Sequence, residues 1–181
     1  MRQLDLSVRF EAPTDTGLIR GHAAVWNERN GHNEVLERGA FALSLSSHKS
    51  RKTRPLMLWA HDQSEPIGVW DSVTEDERGL AVSGKIVTET RRGQEALALL
   101  KAGALDGLSI GFIIQKQSRQ KNTRILKQID LKEISLVALP SAPGARIEFV
   151  RTELGRMNEG AAALVLACRK ASRSLKKGPR P

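Results

Sequence analysis

The chain has 181 residues, 40% of them hydrophobic and 27% charged, with a formal net charge of +9 and a pI near 10.2. Length and composition fit one folded domain with a core of useful size and exclude a disordered chain. No apolar run approaches the roughly 18 residues of a membrane-spanning helix, and a single cysteine, Cys168, excludes an intramolecular disulfide framework.

The opening Met1-Arg2-Gln3-Leu4-Asp5 lacks the apolar core of a signal peptide, so the cytoplasm is the expected compartment. Leu4, Leu6, Val8 and Phe10 alternate as a strand with one buried face. Gly17 to Trp26 reads as a second strand, with Gly17 and Gly21 marking a turn or bulge. Glu37 to His48 holds a short helix around Phe41, Leu43 and Leu45, and Pro55 to Ala60 is an apolar strand ending at His61. Pro66 to Thr74 and Gly79 to Val87 form a hairpin across the polar turn from Glu75 to Gly79. Thr90 to Ala102 carries a helical stripe of Ala96, Leu97, Leu99 and Leu100, stopped at Gly103. Leu105 to Gln115 is an apolar strand, a basic turn follows at Ser118 to Thr123, and Ile125 to Leu139 is its antiparallel partner, closed by Pro140-Ser141-Ala142-Pro143-Gly144. From Glu153 to Leu175 the chain is helix-prone, Ala-rich and basic, and Cys168 falls there as a small apolar filler. Many short strands with a few helices predict a mainly β fold, a closed or partly closed antiparallel barrel, since closure protects sheet edges.

The positive charge is concentrated. Arg151 to Pro181 carries eight Lys and Arg against Glu153 and Glu159, and His48 to Arg54 forms a second basic cluster. Such clusters serve as solvated faces or contact nucleic acid and acidic protein surfaces. With four Phe, three Trp and no Tyr, the chain offers few platforms for stacking bases, so specific nucleic-acid binding is not expected. The absence of CxxC, HExxH and Walker sequences likewise predicts neither a metal nor a nucleotide cofactor.

Ser109 stands between Gly107 and Gly111 in LDGLSIGF. On one strand face, two residues without Cβ leave room for a substrate backbone to approach a hydroxyl. The plainer reading is a strand serine beside packing glycines, and the spacing is not that of a GxSxG elbow. A serine hydroxyl needs a base to take its proton. Of His22, His32, His48 and His61, the last is best placed, because it ends an apolar strand that can aim it; His48 lies among cations, His32 in a polar turn, and His22 suits a half-buried structural role. An acid must then orient the imidazole. Glu133, in the apolar run LKEISLVAL, is the leading candidate, with Asp62 and Asp106 as rivals; Asp62, next to His61, points to the other side of a strand.

Taken in order, these segments resemble the prohead protease family of tailed bacteriophages. The stretches that carry the resemblance are GHAAVW (21–26), ERGAF (37–41), LWAHD (58–62), PIG (66–68), Gly79-Leu80, LDGLSIGF (105–112), KEISLVALP (132–140) and APGA (142–145). Any one is weak, but the ordered set runs from about residue 4 to 150. The resemblance implies a herpesvirus-protease-like barrel ringed by helices and a serine peptidase with His61 and Ser109 as its histidine and serine. By analogy with the herpesvirus enzymes the third member falls at Glu133. It implies a protease domain over 1–150 and acyl transfer; backbone amides of the loop from Pro140 to Arg146 are our own expectation for the oxyanion hole, which no residue of the sequence locates. The implied partners are the scaffolding portion of the major capsid protein precursor, any separate scaffold, and the chain itself by autocleavage. The implied place of work is an assembling prohead in the host cytoplasm, with no membrane. The segment 151–181 then becomes a basic tail that is trimmed or that targets scaffold. A homo-oligomer stays open. The competing reading is a non-enzymatic capsid- or scaffold-associated protein whose basic tail binds shell or DNA.

Overall fold

The structure, a computed structural model, describes residues 17–151. The strand expected at residues 4–10, Cys168 and the helix-prone basic tail lie outside the described residues. In chain order the elements are β1 (Leu18–Val25), β2 (Glu34–Leu36), α1 (Ala42–Arg51), β3 (Leu56–Trp59), β4 (Asp62–Glu75), β5 (Gly79–Ile86), α2 (Arg91–Lys101), β6 (Gly107–Gln120), β7 (Thr123–Val137) and β8 (Arg146–Arg151). The order β7-β3-β4-β5-β1-β8-β6 returns to β7, closing a seven-stranded barrel, and β2 adds to β7 outside it. The mainly β barrel with helices is the expected architecture. Two strands have no counterpart in the sequence reading: β2, only three residues long, and β8, whose residues follow the proline-rich segment taken there as a closing turn.

Alternation along the strands fills the barrel. Ile67 and Trp70 of β4, Leu80, Val82 and Ile86 of β5, Leu108 of β6, and Ile134 and Leu136 of β7 are all buried. Each large apolar side chain buried this way contributes about 1.5–3 kcal/mol. Helix α2 begins at Thr90, whose Oγ1 accepts the Gly93 amide at 3.0 Å, and it buries Ala96, Leu97 and Leu100. It stops where Gly103 takes φ +67°. Of the expected stripe, Leu99 is the member left largely outside.

Helix α1 forms around the expected Phe41, Leu43 and Leu45, with Leu45 partly buried against the core. Leu43 is exposed, and the buried positions are Phe41 and Ser44. The reason lies in β7, where the ladder to β6 shifts register between the Gly111↔Glu133 and Phe112↔Leu131 pairs. The Leu131 amide donates to Ser44 Oγ at 2.9 Å, and the Leu131 carbonyl accepts from His48 Nε2 at 2.9 Å. Residues four apart on one helical face thus satisfy both backbone groups of one strand residue. His48, expected to be exposed, is half-buried in this role.

Two registers decide what meets at one end of the barrel. Strand β6 runs antiparallel to β7, placing Ser109 opposite Ser135 and Gly111 opposite Glu133. Strand β3 lies on the other side of β7 and runs parallel to it, Leu56 opposite Glu133 and Trp59 opposite Leu136. The turn that follows β3 therefore emerges beside Leu136, one residue past Ser135.

Candidate active site

That turn has two residues, Ala60 and His61, joining Trp59 to Asp62, which pair across the hairpin. Both have positive φ, +48° and +65°. A two-residue hairpin of this hand requires left-handed backbone at both positions and normally recruits Asn or Gly. Here the strand ladder holds the strain: the Ala60 amide donates to the Leu136 carbonyl at 2.9 Å and the His61 amide to Ser135 Oγ at 3.0 Å. His61 is thus carried on a turn anchored to β7, rather than on the end of a strand as the sequence suggests.

From there the imidazole spans β7. Its Nδ1 lies 2.6 Å from Glu133 Oε1 and its Nε2 lies 3.0 Å from Ser109 Oγ. A carboxylate only accepts, so Nδ1–H donates to Glu133 and the Nε2 lone pair faces the serine hydroxyl. The second carboxylate oxygen of Glu133 accepts from Ser135 Oγ at 2.5 Å. The Glu133 side chain is 10% exposed and that of His61 45%, so the acid is covered while the imidazole borders solvent.

The structure brings together Ser109, His61 and Glu133. The rival acids are occupied elsewhere. Asp62 Oδ1 accepts from the amide and the hydroxyl of Ser64, bonds that hold its carboxyl below the usual carboxylate range. Asp106 pairs with Arg146 at 2.5 Å. His22 is held between Asp76, 2.9 Å from Nε2, and Glu148, 3.1 Å from Nδ1, which suits the structural role considered for it.

The glycines beside Ser109 also make room for the chain's own groups, while Gly111 lines the cleft next to Ser109. A Cβ on Gly111 would stand 2.1 Å from Glu133 Oε1, and one on Gly107 would stand 2.5 Å from the Val137 carbonyl and 2.8 Å from Pro140 Cδ. Gly111 is what lets a carboxylate lie across the strand from it.

Ser109 and His61 open onto a cleft of about 470 Å³, walled by Ala23 and Ala24 of β1, by Glu28 and Asn30 of the segment after it, by Glu34 of β2, and by Ser141, Ala142 and Ala145. His32, in the polar turn, also reaches this cleft. Asn30 organises the acidic wall: its Oδ1 accepts the amides of His32 and Glu34, and its Nδ2 donates to Glu34, which also pairs with Arg124. Glu28 accepts the Gly144 amide at 3.0 Å and so ties down the loop between Pro140 and Arg146. Ser135 and Glu28 are not read as site residues in the sequence. Ser135 carried a signal, because it lies two positions from Glu133 on the same strand face.

A model of the caudovirus prohead serine protease family matches residues 4–160. The prohead protease of Enterobacteria phage HK97 is 30% identical over 152 residues, which cover 82% of this chain and 66% of that protein. The chain thus spans just under two thirds of the length of that relative. Among solved structures, the bacteriophage T4 capsid assembly protease shares the fold, with a TM-score of 0.57 at 12% identity over 68% of this chain and 82% of that one. The varicella-zoster virus protease aligns with a TM-score of 0.42 at 13% identity, over 72% and 62% of the two chains. With most of its length matched by the family model, the chain belongs to the caudovirus prohead serine protease family.

Proposed function

We propose that the chain is a serine endopeptidase that matures a bacteriophage prohead, with Ser109 as nucleophile, His61 as general base and Glu133 as the orienting acid. The observation that carries this reading is the continuous hydrogen-bonded line from Ser109 Oγ through His61 to Glu133, at 3.0 and 2.6 Å, at the wall of an open cleft. His61 Nε2 takes the hydroxyl proton as Ser109 Oγ attacks the scissile carbonyl. Glu133 keeps the proton on Nδ1 and stabilises the imidazolium. The protonated Nε2 then gives its proton to the leaving amine, the C–N bond breaks, and water repeats the sequence on the acyl-enzyme to release the acid and free serine.

The tetrahedral oxyanion needs donors, each worth about 100- to 1000-fold in rate. The loop from Pro140 to Arg146 borders the cleft and is the proposed source. In the conformation seen, its Gly144 amide is engaged by Glu28 and its Ala145 amide by the Ala142 carbonyl. Use of the Gly144 amide therefore requires Glu28 to let go.

The proposed substrates are the scaffolding portion of the capsid precursor, any separate scaffold and the chain's own basic tail, cut inside the assembling particle. The test is co-expression with the capsid precursor, comparing wild type with Ser109→Ala by intact mass. Shortening of precursor and tail only with Ser109 present supports the reading. Identical masses in particles that still assemble favour the non-enzymatic shell- or DNA-binding protein.

A further inference from the structure

We infer that Ser135 is a positioning residue of this site, holding acid and base to each other through a single hydroxyl. The inference rests on the serine-peptidase reading above. Ser135 is fully buried, although it is polar and lies in an apolar run. Its hydroxyl makes two bonds that serve different partners: it donates to Glu133 Oε2 at 2.5 Å and accepts the His61 amide at 3.0 Å. With the 2.6 Å bond between His61 Nδ1 and Glu133 Oε1, these close a ring from the His61 backbone through Ser135 and Glu133 to the His61 ring.

The ring has two consequences. Glu133 has rotatable bonds between its strand and its carboxyl, and an acid bonded only to a half-exposed imidazole would rotate with it. The bond from Ser135 to the other oxygen fixes the carboxyl plane, so Oε1 stays where Nδ1 needs it. The second consequence concerns backbone. His61 sits in a left-handed conformation that costs an ordinary residue about 1–2 kcal/mol, and the Ser135 hydroxyl is the acceptor for the amide at that strained position. Register makes both possible: Ser135 lies two residues from Glu133 and opposite Ser109, so the hydroxyl sits on the face where the three side chains converge.

The experiment uses the full chain and a fluorophosphonate probe that esterifies an activated serine, with kinact and KI measured separately. Wild type is expected to label at Ser109 and Ser109→Ala not at all. Ser135→Ala is expected to lose about 10- to 100-fold in kinact, the range for losing one charge-assisted hydrogen bond, with KI and the circular dichroism spectrum unchanged. Ser135→Thr, which keeps the hydroxyl but adds a methyl at a fully buried position, is expected to lose thermal stability while its folded fraction keeps kinact within a few-fold of wild type. A residue that served only packing would give the opposite order, tolerating alanine and resisting threonine. Labelling of Ser135→Ala at the wild-type rate, a loss carried by KI, or threonine falling as far as alanine each overturns the inference. Failure of wild type to label at Ser109 sinks the serine-peptidase reading as well, and that outcome is distinct from normal labelling of Ser135→Ala.

Discussion

Gly111→Ala tests whether the space beside Ser109 belongs to the acid or to the substrate. The added Cβ would stand 2.1 Å from Glu133 Oε1, 2.8 Å from its Cδ and 2.9 Å from its Cγ. No Cβ tolerates such contacts, and because Glu133 is buried against β6 its carboxyl must swing out of the line to His61. Crowding a packed site costs about 1–3 kcal/mol, which a barrel of this size withstands. The chemical cost is larger, since misorienting the base of a Ser-His-acid site lowers turnover by about 10⁴-fold. We expect Gly111→Ala to fold, to bind substrate normally and to lose nearly all cleavage of the capsid precursor. The deciding comparison is made in a Glu133→Ala background. If Gly111 acts through Glu133, the alanine costs nothing further there, because the group it displaces is already gone. An equal loss in both backgrounds, or a loss confined to KM, would refute the reasoning and return Gly111 to the role of admitting substrate.

Further predictions rest on single contacts. His61→Ala and Glu133→Gln should each abolish maturation of co-expressed precursor without preventing folding, read by intact mass and circular dichroism. Ala60→Gly, at φ +48°, should stabilise the turn by about 1 kcal/mol and raise Tm by about 3 °C in a thermal melt. Thr90→Ala removes the cap on the Gly93 amide and should lower stability by about 1 kcal/mol, measured by urea unfolding. Asp76 provides a pH test. The Gly79 amide and then His22 hold its carboxyl below the usual carboxylate range. The unfolded chain therefore binds that proton more readily, and the stability from Asp76, present above about pH 4, is lost as pH falls through the lower folded value. Unfolding midpoints measured from pH 5 to pH 2 should fall less steeply for Asp76→Asn than for wild type.

Periodicity and turn chemistry make most of the barrel legible in the sequence. The β4–β5 hairpin, the capped helix α2 and the antiparallel β6–β7 pair all follow from side-chain order within one element. So does the barrel class, because many short strands need closure to remove their edges. Helix α1 follows from its apolar residues, but the burial of Ser44 rather than Leu43 is decided by backbone groups of Leu131 that the helix's own sequence does not mention. Strands β2 and β8 are not legible in the sequence because strands this short draw their stability from the neighbours they pair with, not from propensity.

By itself the sequence determined the family, through an ordered series of short segments, and nominated Ser109, His61 and Glu133 as a group, the acid by resemblance and against two rivals. Only tertiary structure decided that these three lie within hydrogen-bonding reach, because that depends on a parallel β3–β7 register, an antiparallel β6–β7 register and a left-handed turn between Trp59 and Asp62. It also decided which groups stand against Gly111 and Ser135. A missing Cβ and a buried hydroxyl have no meaning along one strand; they acquire it from the atoms that a neighbouring strand places opposite them.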